Sequence, residues 1–318
     1  MLIIKNAAEL VTCRGESPKK GKDMADIGII NNGAVAVEKD TIIDVGTTED
    51  IIKKHGSKAD KIIDAANKAV LPGFVDSHTH LIFGGYRADE FSWRLRGDSY
   101  MSIMERGGGI TNTVRATRNT SLEEFIEIGK KRLDKFLEMG VTTVEGKSGY
   151  GLDYETEVRQ LQAMKKLNEF HPVDIVPTFL GPHSVLPEYK GREDEFIDYM
   201  INDVVPYVAK NNLAEFADIF CEKNVFSIEQ SRRFLREAKK TGLKLKIHAD
   251  EMVQLGGAEL AAELNAVSAD HLLQASDEGI RKLADANVIA TLLPATAFCL
   301  KEEYARGRHM IDSGCAVA

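Results

Sequence analysis

From residue 69 onward, short apolar runs alternate with helical segments, and that alternation leaves few folds open. The runs lie at 70–75, 141–145, 175–180, 216–221, 243–248, 266–269, 288–293 and 316–318. Between them, segment 122–139 places Phe125, Ile128, Leu133, Phe136 and Leu137 at helical spacing, and Gly140 stops it. Ser227 with Gln230 reads as a capping box for a helix carrying Phe234, Leu235 and Ala238, closed by Gly242. Ser276 starts another helix through Ile280 and Leu283. Eight strands alternating with helices over about 250 residues is the count of a (β/α)8, TIM-like barrel of the α/β class. A doubly wound sheet has the same alternation, but no Gly-x-Gly-x-x-Gly follows the first strand. The barrel is assigned to residues 69–318.

A barrel directs chemistry to the C-terminal ends of its strands. The first run ends Pro72-Gly-Phe-Val-Asp76-Ser-His78-Thr-His80, where apolar residues give way abruptly to polar ones. His78 and His80 are two apart, so on an extended chain their rings face one way, and Asp76 shares that parity and could join them or orient a ring nitrogen. A surface strand end could carry such a pair incidentally. The remaining strand ends argue otherwise: Glu145-Gly-Lys147-Ser-Gly-Tyr150, Gly181-Pro-His183, Cys221-Glu222, His248-Ala-Asp250-Glu251 and Asp270-His271. Five of the eight histidines thus fall at strand ends, which points to a metal or acid–base site.

Three protein ligands and a water are the usual minimum for a catalytic zinc-like or ferrous ion. His78, His80 and His248 form the best trio. Glu251, three residues beyond His248, suits a general base beside a metal-bound water, although it could simply complement a helix dipole. His271 suits oxyanion stabilisation or proton transfer; the plain alternative is a pair with Asp270. Lys147 could be modified to bridge two metals, but a pair with Glu145 or a solvent-facing role is the simpler expectation, so one metal is favoured. The loop after the first strand carries Gly84-Gly85, Arg87, Arg94, Arg96 and Gly107-Gly108-Gly109. Arg87, nearest the histidines, is assigned to an anionic substrate group, with Tyr150 hydrogen-bonding nearby. Arg94 and Arg96 read as an ordinary charged lid. The glycine run lacks the Lys-Ser/Thr of a phosphate loop.

Residues 1–68 read differently, as short β-type runs at 2–4, 27–30, 34–37, 42–45 and 62–65. Turns are expected at Gly15, Asn31-Asn32-Gly33, Lys39-Asp40 and Gly46-Thr47, with one helix over Thr48–His55 capped by Thr48. A small antiparallel β-domain of the sandwich type fits. A net charge of −8 argues against nucleic acid or an anionic membrane surface as partners. No apolar run approaches the ~20 residues of a membrane helix, and the start shows no signal-peptide core. Scattered Cys13, Cys221, Cys299 and Cys315 suit a reducing, cytoplasmic setting.

Taken together, the motif around His78 and His80, Gly84-Gly-Tyr-Arg87, Lys147-Ser-Gly-Tyr150-Gly, Phe179-Leu-Gly-Pro-His183, Ile247-His-Ala-Asp-Glu251 and Ser268-Ala-Asp-His271 resemble those of the imidazolonepropionases, within the amidohydrolase superfamily. The resemblance implies a barrel of the metal-dependent hydrolase type. It implies opening of the ring of 4-imidazolone-5-propanoate to N-formimidoyl-L-glutamate in histidine degradation, with one divalent metal, zinc or iron. It makes His78, His80 and His248 the metal ligands and places Arg87, Tyr150, His183 and Glu251 at the substrate, with His271 beside the reacting carbonyl. The implied partner is a small anionic cyclic amide; a homodimer is admitted but not fixed. The family's eighth strand continues from a segment like 313–318 into Thr-Asp, whose Asp completes the metal site, whereas this sequence stops at Ala318. The expectation is a chain truncated in or near the eighth strand, also lacking the C-terminal strands of the small β-domain. Other readings are a different cyclic-amide hydrolase, a nucleobase-type deaminase, or a non-catalytic relative.

Overall fold

The computed structural model describes residues 1–98, 102 and 108–318, so Gly107 of the glycine run lies outside the described residues. Two compact units result, Met1–Gly73 and Phe74–Ala318.

The first unit is a five-stranded sheet. Strands β1 (Leu2–Val11), β2 (Ile29–Glu38) and β3 (Thr41–Thr47) are antiparallel neighbours. β4 (Lys61–Asp64) and β5 (Ala69–Val70) both pair with β1 in parallel. The sheet is therefore mixed, not purely antiparallel, because a helix over Thr48–His55 returns the chain to the starting edge in the same direction. That helix is capped by Thr47, whose hydroxyl accepts from Asp50 N–H, one residue before the expected cap. The expected turn at Asn31-Asn32-Gly33 is absorbed into β2. Asn32 takes a positive φ, and the β1–β2 register shifts between Ile4 and Ala7. A Cβ on Gly33 would lie 2.4 Å from Leu10 Cβ, so this position tolerates no side chain. Ile3, Ala34, Ala36 and Ile51 form the unit's small core.

Residues 70–75, expected as one strand, divide at Pro72-Gly73. Ala69–Val70 belongs to the first sheet and only Phe74–Asp76 (β6) to the barrel. Pro72 has no N–H to donate, so a ladder cannot continue through it unbroken.

In the second unit, β6 is followed by β7 (Val141–Lys147), β8 (Asp174–Phe179), β9 (Phe216–Ala217), β10 (Phe220–Cys221), β11 (Lys244–Ala249), β12 (Ser268–His271) and β13 (Ile289–Thr291). All neighbours pair in parallel in chain order, with β9 and β10 sharing one barrel position beside β11. An isolated parallel bridge between Ala290 and Val317 marks the eighth run. The result is a curled parallel sheet of the TIM-like barrel type; among the described residues no ladder joins β6 to 316–318.

The helices form where their caps place them. Ser121 with Glu124 and Ser227 with Gln230 make complete capping boxes. The first of these helices, Leu122–Glu138, ends before Gly140, whose φ is +82°. Helices bury faces such as Phe125, Gly129 and Leu133, or Phe234, Leu235 and Ala238, against the sheet. No helix among the described residues is long and apolar enough to cross a membrane.

Candidate active site and metal centre

The strand ends bring the five histidines together. The ring centroids of His78 and His248 are 4.7 Å apart, those of His78 and His80 5.6 Å, and those of His80 and His248 5.9 Å. His183 stacks on His80 at 4.7 Å with planes 13° apart, and His271 lies 5.0 Å from His248. Among the described residues three compact groups of possible ligand atoms emerge, two of them all-histidine (His78, His248 and His271; His80, His183 and His248) and one of His78 with Glu145 and Asp270. His248 belongs to both all-histidine groups, so the trio expected from sequence straddles them.

The donor chemistry fits a divalent cation. Nδ1 of His80, Nε2 of His248 and Nδ1 of His271 are buried without a hydrogen-bond partner, whereas Nδ1 of His248 faces Asp218 Oδ2 at 2.9 Å, out of line with it. Such orphaned nitrogens cost roughly 1–3 kcal/mol each unless something else binds them. Burial is also the largest influence on the protonation of His78 and His183, pushing both to about 3, and it drives His80 and His271 well below the ordinary histidine value. Neutral imidazoles with free lone pairs are what a metal requires.

Beneath the histidines lies a charged layer that the sequence did not reveal. His78 Nδ1 is 2.7 Å from Asp270 Oδ2, and His248 Nδ1 is 2.9 Å from Asp218 Oδ2. The other Asp218 oxygen accepts from His248 N–H at 3.1 Å. Lys147 is fully buried and donates to Glu145 at 2.9 Å and Asp218 at 2.7 Å, with Asp270 at 3.1 Å. Burial alone would lower its pKa, but these three carboxylates outweigh it and raise the value. The expected Lys147–Glu145 pair is present and the solvent-facing alternative is excluded. Lys246 completes the layer, 2.8 Å from Glu145 and donating to Ser77 C=O at 3.0 Å.

Two pairings weighed as alternatives in the sequence are not formed. Asp270 pairs with His78, not with His271; His271 Nδ1 instead lies 3.4 Å from Glu251 Oε1. In β12 successive side chains alternate faces, which separates Asp270 from its neighbour. Asp76 accepts from the His78 backbone N–H at 3.3 Å and does not orient a ring.

Above the histidines opens a cavity of about 480 Å³, lined by Arg87, Tyr150, His183 and Glu251 among others. Each is held from behind. Glu157 accepts backbone N–H bonds from Gly149, Gly151 and Leu152 and thereby fixes the loop carrying Tyr150. His183 Nδ1 donates to Gly149 C=O at 2.8 Å, which leaves Nε2 bare. Asp250 accepts from the N–H groups of Leu255, Gly256, Gly257 and Ala258, anchoring the turn from which Glu251 projects. Arg87 Nη1 is 3.6 Å from Glu90, which in turn accepts from Gly109 N–H. Arg94 also lines the cavity, so it is more than the outer lid residue expected; Arg96 does not line it. Burial raises Glu251 to about 7, and it raises Tyr150 despite the opposing influence of Arg87. Glu157 and Asp218 were missed because their partners are backbone groups or residues distant in sequence. Asp218 gives one local signal, a carboxylate within an otherwise apolar run, whereas Glu157 lies in a largely polar helix that gives none.

Comparison with known proteins gives three findings. Residues 61–113 match the model of the family described as "Amidohydrolase family". The whole chain aligns with 76% of the imidazolonepropionase of Clostridium tetani at 61% identity and with 76% of that of Parabacteroides distasonis at 58%. Among solved structures, the chain overlays in full on 71% of the zinc-complexed atrazine chlorohydrolase from Arthrobacter aurescens, with a TM-score of 0.68 at 16% identity. It likewise overlays on 68% of a zinc-bound adenosine deaminase from Xanthomonas campestris, at 0.60 and 16%. These structural likenesses concern the fold.

Proposed function

The chain belongs to the imidazolonepropionase family, and on that premise we propose that it hydrolyses the ring amide C–N bond of 4-imidazolone-5-propanoate to N-formimidoyl-L-glutamate, a step in degrading L-histidine to glutamate. The observation that carries this reading is the convergence of Arg87, Tyr150, His183 and Glu251 on one cavity above the histidines.

His78, His80 and His248 would hold one divalent ion, zinc or iron, which when bound acidifies a water and polarises a carbonyl. His183 lines the cavity and His271 adjoins Glu251, so these two are assigned to substrate and proton path instead. Arg87 pairs with the propanoate carboxylate, and Tyr150 donates a hydrogen bond beside it. His183 presents its bare Nε2 to a substrate N–H. Glu251 takes the proton of the attacking water and returns it to the leaving ring nitrogen, a double duty suited to a carboxyl titrating near 7. His271 donates toward the developing oxyanion. The carbonyl carbon ends as the new carboxylate.

The cytoplasmic setting, homodimer assembly and small N-terminal β-sandwich (residues 1–68, before the barrel) belong to the same proposal. What supports the sandwich is exposed apolar surface on the first sheet, including Ile42, Ile43, Ile62 and Ile63. The test is turnover. The zinc- or iron-loaded protein is offered 4-imidazolone-5-propanoate beside a panel of other cyclic amides and aminated nucleobases, with N-formimidoyl-glutamate as the expected product. Preference for a panel member overturns the substrate assignment.

A further inference from the structure

Lys147 is the one side chain in the charged layer that reaches both carboxylates lying against metal-site histidines. Its ammonium is 2.7 Å from Asp218 Oδ2 and 3.1 Å from Asp270 Oδ2, and those same two oxygens lie 2.9 Å from His248 Nδ1 and 2.7 Å from His78 Nδ1. Lys147, Asp218 and Asp270 are all fully buried, so no solvent donor can replace the lysine. Two further bonds fix it in place. Its third proton goes to Glu145 Oε1, which also accepts from the Thr178 hydroxyl, and its backbone N–H reaches past the end of β6 to Thr79 C=O at 2.9 Å. Glu145 therefore locks the lysine head while Thr79, between His78 and His80, is pinned to the lysine's own strand.

We propose that Lys147 is a positioning residue that sets the tautomer of both His78 and His248 by holding Asp218 and Asp270 against their Nδ1 atoms. The inference rests on the proposed assignment of those histidines as metal ligands. An ionised carboxylate oxygen only accepts, so each imidazole facing one carries its proton on Nδ1 and offers Nε2 as the bare nitrogen. Each Oδ2 is shared between an imidazole and the ammonium, so the lysine determines where that oxygen points. Without it, the carboxylates of strands β9–β10 and β12 lose their common donor and turn toward other partners. The two histidines then lose their tautomer preference together, although they come from different strands. One cation couples two ligands.

The test reads histidine ring nitrogens by two-bond 1H–15N NMR in the metal-free protein and zinc affinity by competition with a chromophoric chelator. The native protein is expected to show Nδ1–H at His78 and His248; Nε2–H at both would overturn the proposal without any variant. Lys147→Met is expected to mix the tautomers at both histidines and to weaken zinc about 10- to 100-fold. If that variant does not fold, Lys147→Met combined with Glu145→Gln removes one buried charge of each sign and carries the same expectation. Lys246→Met removes a buried lysine of the same layer that does not touch Asp218, and should leave His248 unchanged. Native zinc binding that persists undiminished with unmixed tautomers in Lys147→Met overturns the inference and leaves the metal assignment intact. Tautomers that depend on Lys147 in a protein binding no stoichiometric zinc or iron support the inference and overturn the metal assignment.

Discussion

In the proposed reaction Glu251 concentrates the chemistry in a single carboxyl. It is largely enclosed, 3.4 Å from His271, and burial raises it to about 7. Replacing it with Gln keeps the shape and removes the base, so turnover should fall by about 10²–10⁴ while metal content, measured by elemental analysis, stays at the native level. Retained turnover would assign the proton transfer elsewhere. In the proposed mechanism the working form is the carboxylate, so kcat should rise with pH on an acid limb near 7. The role proposed for Arg87 is in binding: Arg87→Met would remove a charge-assisted pair worth roughly 1.5–3 kcal/mol, so KM should rise about 10- to 100-fold with kcat changed far less. The convergence of these residues was legible because a strand end is a local feature: His-x-His parity and the position of Glu251 after His248 need no knowledge of distant contacts. Asp218 was not legible. Within its run it is one polar residue among apolar ones, and only the fold brings Lys147, 71 positions away, against it.

Loops between strand and helix carry the next level of design. Glu157 sits on the helix Tyr154–Leu167 yet turns its carboxylate back onto the loop before it, accepting from three backbone N–H groups. Glu157→Ala strands three buried donors, at roughly 1–3 kcal/mol each before any water enters. Urea unfolding should show a loss of several kcal/mol, and amide exchange at Gly149, Gly151 and Leu152 should accelerate selectively. Unchanged exchange there would mean the loop is held by something else. Capping boxes at Ser121 and Ser227 were readable because a cap and its partner are three residues apart. Strand boundaries were less so. The chain runs straight through Asn31-Asn32-Gly33, a sequence with turn chemistry, because Gly33 is needed for close approach to Leu10 and the Asn32 conformation is absorbed at a register shift. Turn-forming residues permit a turn without imposing one.

At the scale of the whole molecule, the alternation of runs and helices was enough to indicate a barrel, since parallel strands need crossovers and crossovers need length. The titration of the metal-free protein is also a whole-molecule property. Four histidines, His78, His80, His183 and His271, have folded values below the ordinary 6.5, at about 3 for His78 and His183. The unfolded chain therefore binds protons below pH 6.5 that the folded chain refuses. Their contribution to stability is complete above 6.5 and is lost as pH falls toward the folded values, by up to about 1.4 kcal/mol per pH unit for each histidine. Glu251 acts in the opposite sense, since its folded value of about 7 exceeds the ordinary 4.5; its contribution is complete below 4.5 and is lost as pH rises to about 7. Urea unfolding of the metal-free protein should thus show stability falling from pH 6.5 to 5, and Glu251→Gln should steepen that fall, because the native carboxyl opposes it between 4.5 and 7 and adds no slope above 7. Saturating zinc should raise the entire curve, because an ion held by neutral imidazoles binds only the folded state. A flat profile between pH 6.5 and 5 would mean that the buried histidines accept protons without unfolding the barrel, and their reading as neutral, metal-ready ligands would fail with it.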